Sequence, residues 1–255
     1  MSRIWALAVN TFREAVRDRV LYSLLFFAIG VLALSLAIDD ITIGDQAKVV
    51  RSVGQGAVDL FGSIIAMFLG ISVIHKELER KTVYTVLSRP LTRATFVLGK
   101  YTGLLLTVFV EVAVLVVFYS IFMSIRSDPP GLTLFVSMGM LLMELALLTA
   151  WATLFSAYSA PTTAAAFTLA VFVIGHLADD IWLYGSQAEA PSLRMAAHTL
   201  YWALPNFELF SIRRAAVHQL AVPWDRVWPG LVYGLGYTTA VLAAAMAIFQ
   251  RKDVK

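Results

Sequence analysis

Six stretches of this chain are apolar for about the roughly 20 residues that a helix needs to cross a bilayer. They run over 20–38, 58–74, 98–123, 132–155, 160–178 and 228–249. The pattern predicts an all-α integral membrane protein with six transmembrane helices and a single transmembrane domain over 1–255. The second stretch is short and opens with Asp59; the fifth starts beside Pro161. The bulk numbers agree. Of 255 residues, 59% are hydrophobic and 15% charged, with a mean hydropathy of +0.77. Soluble domains average about 45–50% apolar and about 25% charged.

The net charge of +3 and pI near 9.2 would suggest nucleic acid in a soluble chain. Here they follow from an excess of Lys and Arg in cytoplasmic loops. With the N-terminus inside, Arg3, Arg13, Arg17, Arg19, Lys76, Arg80, Lys81, Arg89, Arg93, Lys100, Arg251, Lys252 and Lys255 are all cytoplasmic. Both termini then face the cytoplasm across a plasma (inner) membrane. Of the remaining basic residues, Arg194, Arg213, Arg214 and Arg226 fall in one long outer segment, where charge counts for less. The tryptophans fit the same map, all six at headgroup depth. There is no cysteine, which removes disulfides and thiolate chemistry. The first apolar run ends in Ala37-Ile38-Asp39-Asp40, without the small-residue pattern of a cleaved signal.

Residues 1–19 read as an amphipathic helix. Ile4, Ala8, Phe12 and Val16 recur on one face, and Arg3, Asn10, Arg13, Glu14 and Arg17 lie elsewhere. Arg on the polar side and a short step to the first span suit a helix lying in the inner interface. Residues 179–227 are rich in aromatics and punctuated by Pro191, Pro205 and Pro223. They predict short outer helices before the last span, partly re-entrant. Gly62, Ala66 and Gly70, and again Gly230 and Gly234, make small-xxx-small ladders for close helix packing, within one chain or between two.

The densest charged block runs from His75 to Lys100. His75-x-Glu77-x-Glu79 lacks the second histidine of a zinc protease, since that position is Glu79. Gly99-Lys100 lacks the earlier glycine of a phosphate loop and has Tyr101 where Ser or Thr belongs. On these spacings the chain is expected to carry no ATP site, no metal site and no catalytic residues of its own. Glu111 and Glu144 fall near the middles of the third and fourth spans. A carboxylate at such depth costs at least about 2.5 kcal/mol on insertion scales. These two are the intramembrane polar candidates, either lining a polar path or tying helices together. No Lys or Arg is expected at their depth. His176, Asp179 and Asp180 share a helix face at i, i+3 and i+4, at the end of a span.

The order of these motifs resembles the permease subunits of type-2 ABC transporters. The resemblance rests on Asn10-Thr11-Phe12-Arg13-Glu14 with Arg19-Val20-Leu21, on Glu77 to Thr82, Leu87-Ser88-Arg89-Pro90, Arg93 and Gly99-Lys100, and on Leu204-Pro205-Asn206-Phe207. Lys81 stands where the family commonly has glycine. The nearest subgroup is the permease linked to multicopper enzyme maturation. The resemblance implies two permease chains, as a homodimer in the lipid membrane, with two ATPase subunits that bind ATP and Mg. It further implies that 75–95 is a cytoplasmic coupling region, with Glu77, Glu79, Arg80, Lys81, Thr82, Pro90 and Arg93 facing the ATPase. The expected function is ATP-driven transport in the export direction; the rivals are a proton-coupled carrier using Glu111 and Glu144 and a membrane assembly scaffold.

Overall fold

A computed structural model describes residues 3–39, 46–79, 92–125 and 128–251. The described residues form ten α-helices and one short 3-10 turn, with no strand among them. In order they are α1 (Arg3–Ala15), α2 (Arg19–Asp39), α3 (Gln46–Glu79), α4 (Arg93–Ile125), α5 (Leu132–Tyr158), α6 (Pro161–His176), α7 (Ala178–Ser186), α8 (Pro191–Ala203), the 3-10 turn Phe207–Phe210, α9 (Arg213–Val217) and α10 (Trp224–Arg251). Four helices (α3, α4, α5 and α10) are long and apolar enough to cross a membrane. Two more spans arise if each bent pair counts as one: α1 with α2, bent by 66°, and α6 with α7, bent by 61°. The four to six spans fit the all-α membrane architecture, and the short helices before the last span are present.

The second span departs from expectation. Instead of opening at Asp59, α3 is one helix of 34 residues, about 51 Å at 1.5 Å per residue. Asp59 lies well inside it. The charges that signalled a helix end are tolerated because they find partners. Arg51 donates to both carboxylate oxygens of Asp128, at 2.6 and 2.9 Å, and to the Val217 carbonyl at 2.9 Å.

Close backbone approach sets the packing. A Cβ added at Gly70 would lie 2.5 Å from Ala152 Cβ, and one at Gly62 3.1 Å from Leu145 Cδ1. The ladder on α3 therefore packs on α5 within the chain. The second ladder does likewise: Gly230 meets Met140 and the Leu209 carbonyl, and Gly234 meets Met143 and Phe210. Ser156 then donates to the Ile71 carbonyl at 2.9 Å, and Tyr101 to that of Ala146 at 2.9 Å, fastening α5 to α3 and α4.

The amphipathic α1 buries Ala8, Thr11 and Ala15 and leaves Trp5 half-exposed. Its buried face lies on α4, where Gly99 and Gly103 admit it. A Cβ at Gly99 would stand 2.6 Å from Leu7 Cβ, and one at Gly103 2.6 Å from the Ala8 carbonyl oxygen. Glu14 and Lys100 add an ion pair at 3.7 Å, with the Lys100 side chain 2% exposed. At the same end, Thr92 caps α4 by accepting from the Thr95 amide at 3.2 Å. Arg93 donates to the Phe249 and Gln250 carbonyls in the last turn of α10, at 3.2 and 2.8 Å. Both chain ends are thus gathered at the start of α4. Trp151 packs at a tilt against Phe155 and Tyr237, and its indole N–H is buried without a partner among the described residues.

Because the atom facing Gly103 is backbone, it has no rotamer with which to retreat. Gly103→Ala is expected to destabilise the fold by about 1–3 kcal/mol. Gly139→Ala, with open space around it, should be neutral or slightly stabilising. Thermal unfolding of the two variants in the same detergent checks the contrast.

Candidate functional site

The polar face of α3 runs through Arg51, Gln55, Asp59 and Ser63, spaced by four. Ser137 and Glu144 of α5 look toward it, and His176 closes the far side from α6. Together with Glu208 from the 3-10 turn and Arg213 from α9, these surround a cavity of about 360 Å³. Leu60, Leu141, Phe172 and Phe210 give it an apolar wall. Glu144 and His176 stand at one height. From Tyr158 back to Glu144 the helix axis covers about 21 Å, and from Pro161 up to His176 about 23 Å.

Glu144 is 7% exposed, and its Oε1 lies 3.2 Å from His176 Nε2. His176 Nδ1 is 3.0 Å from the Phe172 carbonyl, which only accepts, so Nδ1 carries a hydrogen. The Glu144–Nε2 contact then needs one further proton, on either the carboxyl or the ring. The pair is electrically neutral in either arrangement. The partner at the depth of Glu144 is a histidine, neither Lys nor Arg. The α6–α7 bend also separates the expected His176-Asp179-Asp180 face. His176 turns to Glu144, while Asp179 accepts from Asn206 Nδ2 at 2.7 Å. Asn206 Oδ1 in turn accepts from the Glu208 amide at 3.0 Å. Phe207 packs against the His176 ring at 5.3 Å between centroids. It also presses on Gly175, whose added Cβ would stand 2.6 Å from that ring. The stretch Leu204 to Phe207 therefore holds the broken span and its histidine in place.

Arg213 approaches α3 through Gly56, where an added Cβ would lie 2.7 Å from the guanidinium. It donates to the Ser52 carbonyl at 2.6 Å and stands 4.0 Å from Asp59. Gln55 donates to Ser137 Oγ, and its Oε1 is buried without a partner. Burial pushes the Glu208 carboxyl above the usual carboxylate range; His176 opposes this, and Asp179 adds to it.

Of the residues singled out from sequence, Glu144 is in this cavity and Glu111 is not. Glu111 is buried in α4, with neither carboxyl oxygen bonded among the described residues. Glu77 and Glu79 lie in the last turns of α3. Arg80, Lys81, Thr82 and Pro90 lie outside the described residues. Arg93 is engaged with the end of α10. Asp59, Gln55 and Arg213 were not singled out as site residues, although the four-residue polar spacing on α3 could have flagged the first two.

The model of the ABC-2 family transporter proteins matches residues 5–254. The chain belongs to that family, and it is a multi-pass membrane permease subunit of an ABC transporter. Membership implies association with an ABC ATPase. Comparison with curated proteins gives no match.

Removing one partner of a buried pair leaves an uncompensated polar group, which costs about 3–5 kcal/mol when burial is complete. His176 is 37% exposed, so Glu144→Ala is expected to cost nearer about 1–2 kcal/mol once solvent screening is allowed for. A double-mutant cycle with His176→Ala, read by chemical unfolding, should return a coupling of about 0.5 kcal/mol or more.

Proposed function

We propose that the chain is one of two identical permease subunits of an ATP-driven exporter, with two copies of a separate ATPase subunit supplying ATP and Mg chemistry. The termini and the 75–95 coupling region face the cytoplasm, and the membrane is the inner, plasma membrane. One observation carries the reading: α3 does not stop where its apolar span stops. Its candidate span ends at Ser72, and the helix continues to Glu79, about 10 Å further. Glu77 and Glu79 thus ride on a stiff extension of a membrane-crossing helix. On the other side of the coupling stretch, α4 begins at Arg93, braced by α1 and by the end of α10. A segment fixed at both ends to long helices transmits rigid-body motion of a soluble motor into the bundle. Arg80, Lys81, Thr82 and Pro90 complete the docking surface.

The 3.2 Å contact between Glu144 and His176 is the observation that favours the rival, carriage driven by a proton gradient. The chain coexpressed with its neighbouring ATPase should copurify with it. Changing Glu79 and Arg80 to alanine should lower ATPase retention at least about ten-fold, equivalent to about 1.4 kcal/mol, while thermal stability of the permease holds. Full retention in that variant removes the docking assignment. Proton flux through proteoliposomes of the chain alone, under a pH gradient and without ATP, would overturn ATP-driven export in favour of the carrier.

A further inference from the structure

The cavity between α3, α5 and α6 carries more acceptors than donors, and the imbalance names its occupant. The Glu144–His176 pair is neutral as a unit. Around it stand two further carboxyls, Asp59 and Glu208, against a single guanidinium, Arg213. The site is therefore formally one positive charge short. Arg213 lines the same void, but its Nη2 is committed to Ser52 and its Nη1 lies 4.0 Å from Asp59. An anion would have to compete with Ser52 and Asp59 for that guanidinium. Gln55 lines the same void, and its amide oxygen is buried without a partner. A buried acceptor left unmet is costly, and a donor-bearing ligand seated beside Gln55 would meet it. Phe172 and Phe210 line the wall, and ring faces attract organic cations. About 360 Å³ is within the range of small-molecule sites, roughly 300–1,000 Å³.

We propose that this cavity, built within one chain, binds a small organic monocation, a primary ammonium bearing an apolar group. The ammonium lies between Asp59, Glu208 and the Gln55 oxygen, and the apolar group lies on Phe172, Phe210 and Leu141. The site does not depend on the ATPase and holds whether or not ATP drives the transporter.

The test uses the full chain in phosphatidylcholine nanodiscs, titrated calorimetrically with 2-phenylethylammonium and with its neutral counterpart 2-phenylethanol. The ammonium should bind saturably and at least ten-fold more tightly than the alcohol. Asp59→Asn should weaken the ammonium at least ten-fold and leave the alcohol unchanged. Glu208→Gln, on a different element, should do the same and serves if Asp59→Asn does not fold. Competition by phosphatidylethanolamine doped into the discs supports the site with a lipid amine as its source; undiminished binding supports it with a free amine. Equal affinity for alcohol and ammonium, absence of saturable binding, or full ammonium affinity in a folded variant overturns the proposal.

Discussion

Between membrane helices no gain comes from hiding apolar surface, since lipid is as apolar as leucine; association rests on how closely backbones approach. In this chain that approach is concentrated on α3 and α4. Gly62 and Gly70 seat α5 against α3, Gly56 lets a guanidinium reach the α3 backbone, and Gly99 and Gly103 seat α1 on α4. Where Gln55, Asp59 and Ser63 face Ser137 and Glu144, polar side chains line a void instead of apolar contacts.

The helical class, the apolar lengths and the short helices before the last span were all legible in linear order, because each depends on local composition. The polar site was not, because each member is tolerated by a residue far along the chain. Asp59 reads as the opening of a span until Arg213 stands beside it. His176 was grouped with Asp179 and Asp180 on the assumption of an unbroken helix. A 61° bend sends the histidine and the aspartates to different partners. The two ladders were visible as patterns, but whether they serve one chain or two was settled only by the atoms opposite them.

Among the described residues, several of the stretches that suggested the family turn out to be contacts with one another or with the site. Glu14 meets Lys100, so the N-terminal motif and the Gly99-Lys100 step form one joint. Asn206 and Phe207 brace the α6–α7 break beneath the cavity. What looked like loose motifs strung along the chain is a pair of fastenings, one at the end that carries the termini and one beside the polar void.

The hold of Arg93 on the last turn of α10 has a consequence for biosynthesis. During synthesis α1 and α4 can meet early, but the carbonyls that Arg93 grips follow it by 156 and 157 positions. Until α10 is made, that joint stays unlatched. Closure of the latch therefore waits on α10, and a chain cut short before Phe249 lacks both carbonyls that fasten the foot of the fourth helix to the tenth.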